Sequence, residues 1–105
     1  MTAPLTLIEK IWRDHVVAER QDGTVILYID RLLLHEVNSP QAFDAVRRSG
    51  DRLHRPEAVL AMADHEIPTA DRGRGITDER ARLQVETLAR NSRDFGVPYV
   101  APEVP

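Results

Sequence analysis

The 105-residue chain contains no cysteine. That absence excludes disulfides, thiolate zinc sites and cysteine-held iron–sulfur clusters built from this chain by itself. Excess positive charge is also missing. The formal net charge is −3, so there is no basic footprint for nucleic acid. No apolar run reaches the length needed to cross a bilayer. The start, Met-Thr-Ala-Pro-Leu-Thr-Leu, lacks the basic residues and apolar core of a signal peptide, so a cytoplasmic location is the default expectation. Internal repeats, low-complexity tracts and an H-E-x-x-H helix are absent as well. Lys10 is the sole lysine among 14 basic residues, a bias of coding rather than of chemistry.

What is present is ordinary for a globular chain: 42% hydrophobic and 30% charged residues. The length allows one domain with a modest core. Thr6-Leu7-Ile8-Glu9 has the form of a capping box. Behind it Ile8, Ile11, Trp12, His15 and Val16 repeat at helical spacing and define one apolar face. Gln21-Asp22-Gly23 reads as a turn. The β-branched and aromatic run from Thr24 to Asp30, without polar alternation, predicts a strand covered on both faces. The "RLLLHEV" stretch is ambiguous by pattern.

Asn38-Ser39-Pro40 announces a helix from Pro40 to about Ser49, stopped by Gly50. Residues Ala58 to Ala63 predict a second buried strand ending at Asp64. Thr69 to Gly75 is a polar, flexible loop. A last helix, from about Asp78 to Asp94, is expected to be capped by Thr77, to turn Ala81, Val85, Leu88 and Phe95 inward, and to stop at Gly96. The tail holds Pro98, Pro102 and Pro105 and is expected to be extended and loosely held. The division predicted is therefore residues 1–97 as folded domain and residues 98–105 as tail. The order α, β, α, β, α implies a right-handed parallel crossover and an α/β fold with helices on the faces of a parallel sheet.

Both predicted strands end in aspartate. In open α/β sheets ligands sit beyond the carboxyl ends of the strands, so Asp30, Asp64 and His65 would share one rim if the strands are neighbours. A carboxylate beside an imidazole orients it and raises its pKa, which makes a proton donor near neutral pH. Asp64 and His65 are thus the candidate catalytic pair, with Asp30 and His35 as candidate substrate-binding residues. The blander alternative is that Asp64 caps a turn and His65 is a solvated loop residue. His35-Glu36 would coordinate a metal, hydrogen-bond a substrate carboxylate, or merely bond to local backbone; His35 and His65 alone do not make a zinc site, and no metal ligand is assigned. His15 reads as a satisfied core histidine and His54 as a surface one. Arg72, Gly73, Arg74 and Gly75 offer an anion cradle, although a plain loop is the simpler reading.

Several stretches together are more specific than any one. "EKIWRDHVV", "ILYID", "HEVNSPQAF", "RPEAVLAMADHEIPT" and "QVETLARNSRDFGV" stand in order across Leu5 to Val97. The chain resembles the opening part of the 3-isopropylmalate dehydratase large subunit, a branch of the aconitase family. The resemblance implies part of an aconitase-like three-layer α/β/α domain and a hydro-lyase of leucine biosynthesis. Such an enzyme interconverts 2-isopropylmalate and 3-isopropylmalate by dehydration and rehydration. It implies a [4Fe–4S] cluster in the complete enzyme, with one iron acting as Lewis acid, and a small subunit as partner in a heterodimer, around a small dicarboxylate substrate.

By the same resemblance, His65 protonates the departing hydroxyl and Asp64 holds the imidazole charged and oriented. Three positions depart from the family's usual pattern: Glu66 replaces an asparagine, Leu32 a histidine and Ser92 a cysteine. With no cysteine of its own, the isolated chain is expected to be inactive, a fragment of that subunit. The alternatives are a stand-alone, non-catalytic interaction protein derived from it and a small metal- or anion-binding α/β domain using His35 and His65.

Overall fold

The computed structural model describes residues 3–103. The chain divides into two compact units at the Asp30–Arg31 peptide.

In the first unit, Thr6 and Glu9 close the expected capping box: Thr6 Oγ1 accepts the Glu9 N–H and the Glu9 carboxylate accepts the Thr6 N–H. Helix α1 runs Leu7–His15. Its apolar stripe is present but uncovered, with Leu7 72%, Ile8 77%, Ile11 52% and Trp12 49% exposed. The helix ends into strand β1, Val16–Glu19, which pairs antiparallel with β2, Val25–Leu27. The turn between them forms where expected, with Gly23 at φ 83° and Asp22 Oδ1 accepting the Thr24 N–H. The covered strand expected over Thr24–Asp30 is therefore corrected. Only three of its residues are strand, its partner is β1, and Ile26, Tyr28 and Ile29 are exposed. A continuous apolar run does not report what lies across from it.

The second unit holds the parallel sheet. The ambiguous "RLLLHEV" resolves into β3, Leu32–Leu34, which pairs parallel with β4, Val59–Met62; β5, Tyr99–Val100, pairs parallel on β4's other side. The order is β3-β4-β5. Helix α2, Ser39–Ser49, joins β3 to β4, and helix α3, Glu79–Phe95, joins β4 to β5. The parallel α/β class holds.

Local chemistry sets the helix ends. Asn38 makes no side-chain cap; the buried Ser39 hydroxyl instead donates to the His35 carbonyl. The α3 cap is Asp78, not Thr77: its carboxylate accepts the Ala81 N–H at 2.8 Å. Gly50 and Gly96 both stop their helices at positive φ, 73° and 68°, where a side chain would be strained. After Gly96 the Val97 N–H returns to the Ser92 carbonyl at 2.8 Å, which turns the chain back toward the sheet.

Phe43 from α2, Leu88 from α3, Ala61 from β4 and Val97 form the core, with Leu34, Val59, Phe95 and Tyr99 packed around them. Both helices thus cover the same face. Two successive right-handed crossovers in one direction along a sheet have this result. On the other face Leu33 is 65% exposed, so the second helical layer of a three-layer domain is not formed among the described residues of this unit. Of the tail expected to be extended and loosely held, residues 98–103 are described and are not loose, and residues 104–105 lie outside the described residues. Val97 is buried and Tyr99–Val100 are sheet, so the boundary expected at residue 97 falls inside the unit. No helix among the described residues is long and apolar enough to cross a membrane.

Candidate functional site

Because β3 and β4 run parallel, with Leu34 opposite Ala61, the residues that follow them emerge at the same edge. These are His35-Glu36 and Asp64-His65. The shared rim expected of Asp30 is corrected: β4's neighbours are β3 and β5, while Asp30 lies beyond β2 in the first unit. There the Asp30 carboxylate stands 3.2 Å from His15 Nε2, and His15 Nδ1 lies 2.6 Å from the Ile11 carbonyl. The Ile11 carbonyl first, and Asp30 second, hold His15 above its ordinary pKa. His15 is satisfied, as read, but by these local bonds and not by a core.

At the rim, His65 Nδ1 donates to Asp64 Oδ1. This bond orients the ring and leaves Nε2 to carry the second, transferable proton. The pair is open to solvent, with the side chains 51% and 62% exposed. The His65 pKa lies above its ordinary value, chiefly through the bond to Asp64, helped by the negative charges of Asp64, Glu36 and Glu66 and opposed by desolvation.

His35 stacks on His65, ring centres 4.1 Å apart and planes 25° from parallel. Its Nδ1 accepts the Val37 N–H at 3.2 Å, and its Nε2 lies 3.3 Å from the Asn38 carboxamide. Glu36 is fully buried. Its two carboxylate oxygens accept the backbone N–H groups of Asp64, at 3.1 Å, and of Glu66.

His35, Glu36, Asp64 and His65 offer donor atoms within 4.8 Å of one another, a spacing that suits a metal ion. The bonds above already engage both Glu36 oxygens, His35 Nδ1 and His65 Nδ1. The group is thus a hydrogen-bonded frame around an exposed imidazole more than an open coordination sphere. Sequence reasoning singled out His35-Glu36 but missed the role of Glu36; a lone buried glutamate leaves no local pattern.

A cleft of about 230 Å³ opens beside His65, lined also by Glu66, Ile67, Pro68, Ile76, Thr77, Asp78 and Ala81. Its described walls carry carboxylates and no arginine or lysine. The Arg72–Gly75 segment is a tight 3₁₀ turn at Arg72–Arg74, with Arg72 Nε donating to the Pro68 carbonyl at 3.1 Å. Arg74 instead lines a separate cleft with Arg82, whose guanidinium lies 3.8 Å from Glu86.

Replacing Asp64 by asparagine is expected to move the His65 pKa down. The sign follows from the raised value. The stabilisation from the charged pair is complete below the ordinary histidine pKa of about 6.5 and disappears as pH rises through the higher folded value. An NMR titration of the His65 ring in both proteins measures this, and identical curves would remove Asp64 as its charge partner.

Residues 9–104 match the Aconitase family (aconitate hydratase). No solved structure matches the chain. The chain belongs to the aconitase family, whose chemistry is that of hydro-lyases and whose complete enzymes carry a [4Fe–4S] cluster. With no cysteine, this chain supplies no thiolate to such a cluster. Its residues do not fit that role.

Proposed function

We propose that this chain is the proton-donor segment of an isopropylmalate dehydratase large subunit. It would interconvert 2-isopropylmalate and 3-isopropylmalate in leucine biosynthesis, in the cytoplasm, when completed by the rest of the large subunit and by the small subunit. The observation that carries the reading is the Asp64–His65 pair at the carboxyl end of β4, hydrogen-bonded, solvent-accessible and beside a cleft. A hydroxyl is a poor leaving group until it is protonated. His65 Nε2 gives the proton to the departing oxygen as a base from outside this segment takes the proton of the neighbouring carbon, whose C–H electron pair becomes the double bond. Asp64 stabilises and orients the imidazolium that precedes the transfer. On rehydration the same nitrogen takes the proton back.

The cleft also supports the need for partners. A dicarboxylate requires cations, and the described walls around His65 are acidic. Guanidinium groups from outside this segment would pair with the substrate. His35, stacked on the acid, is placed to contact a substrate carboxylate through its ring edge.

The test is to graft residues 9–104 into a complete large subunit of the family, assemble it with its small subunit, and assay 2-isopropylmalate, homocitrate and methyl-substituted malates. Turnover of isopropylmalate in preference to the others is expected, while the isolated chain should bind no iron and form no isopropylmaleate. Preference for another hydroxy acid would overturn the substrate assignment. Product from the isolated chain would overturn the reading of an incomplete site.

A second reading, an interaction segment, is favoured by the uncovered apolar stripe of α1. Sedimentation of the purified chain separates the two: concentration-dependent association lost in Trp12→Glu would support it.

A further inference from the structure

The carboxylate of Glu36 is a costly group to bury. A charged side chain with no exposure is retained only where strong bonds offset its desolvation. Glu36 makes two such bonds, and both reach across the sheet edge to one short segment of chain. The acceptors are its own oxygens; the donors are the amides of Asp64 and Glu66, the residues on either side of His65. The bonds span 28 and 30 residues of sequence, so local structure does not enforce them. His65 is therefore pinned through its backbone from below while its ring stays open to solvent.

We propose that Glu36 is the positioning residue of the site: by holding the amides that bracket His65, its buried carboxylate fixes the position and the charge of the proton donor. The proposal rests on the reading of His65 as that donor. The division of labour is physical. Asp64 acts on the ring through Nδ1 and is largely exposed, so water weakens its hold and lets its side chain turn. Glu36 is out of water and tied at both oxygens, so its geometry does not relax. Its position also gives it reach: it is among the charges that favour the protonated form of His65, and the Tyr99 phenol is held above its ordinary pKa by burial first and by the Glu36 charge second. The other groups around the imidazole are Asp64 and Glu66 on its own segment, His35 from the β3 edge, and Asp78 across the cleft from α3. Each of these has a partly or fully exposed side chain, and Glu36 alone is fully buried.

Glu36→Gln tests this in the full 105-residue chain by NMR. Glutamine keeps the shape and one acceptor, but it places an NH₂ against the second amide and removes the charge. The expected result is a downward shift of the His65 titration, together with faster hydrogen exchange at the Asp64 and Glu66 amides. The signals of Leu88 and Val97 in the core should stay in place. Glu36→Asp, which keeps the charge on a shorter arm, should restore part of the titration shift but not the exchange protection. An unchanged His65 titration and unchanged amide exchange in Glu36→Gln would overturn the proposal.

If the variants do not fold, the wild-type chain decides. The Asp64 and Glu66 amides must exchange more slowly than those of His65 and Ile67, and equal rates would overturn the clamp. Failure of the proton-donor reading appears elsewhere, as normal turnover without His65, and leaves these NMR results unaffected.

Discussion

Alanine at position 65, in an assembled enzyme carrying this segment, is expected to slow turnover on the order of a hundred- to ten-thousand-fold, the usual contribution of a placed general acid. The expectation follows from the bond between His65 Nδ1 and Asp64, which leaves Nε2 as the atom that gives up a proton, and from the open position of the ring beside the cleft. Removing the imidazole leaves the departing hydroxyl with water as its only acid at this position. Fold stability should change little, because the ring is half exposed and outside the core. Iron content and the cluster's spectrum should be normal, since no ligand to it comes from this chain. Slow turnover with an intact cluster supports the role; near-normal turnover would reduce Asp64-His65 to a strand-to-loop junction. Loss of both would point to misfolding, which a urea melt of the segment would reveal.

A second large effect is expected in the core. Leu88 is fully buried where α3 meets Phe43, Ala61 and Val97. Leu88→Ala removes its packing and leaves a cavity, at a cost of about 2–5 kcal/mol. A chain this short is expected near the low end of the usual range of about 5–15 kcal/mol, so the loss would take much of its margin. The urea midpoint should fall sharply without a change in slope. Leu83→Ala on the same helix is the control: Leu83 is 57% exposed, and its variant should melt close to wild type. Similar shifts in both would mean that Leu88 does not anchor the helix pair to the sheet.

Local features were legible because their causes lie within a few residues. The Thr6–Glu9 box, the Gly50 and Gly96 stops, the inward stripe of Ala81, Val85 and Leu88, and the bond between adjacent Asp64 and His65 all depend on short-range geometry that residue types dictate. Even there the α3 cap moved from Thr77 to Asp78, since two neighbouring side chains each have the chemistry to cap and only packing chooses. Strand partnership was not legible. The run around "TVILYID" and the run "LLL" are both apolar and short, and each suits a buried strand. Tertiary structure placed the second beside β4 and left the first in a hairpin with β1, which removed Asp30 from the rim and put His35-Glu36 there. The same long-range pairing drew the proline-bearing tail into β5. The sequence by itself determined the hydrogen-bonded Asp64–His65 pair, because a carboxylate next to an imidazole needs no partner from elsewhere. Only the tertiary structure decided what holds that pair still: a glutamate is ordinarily a surface residue, and burial of Glu36 against two distant amides becomes favourable once β3 and β4 have met.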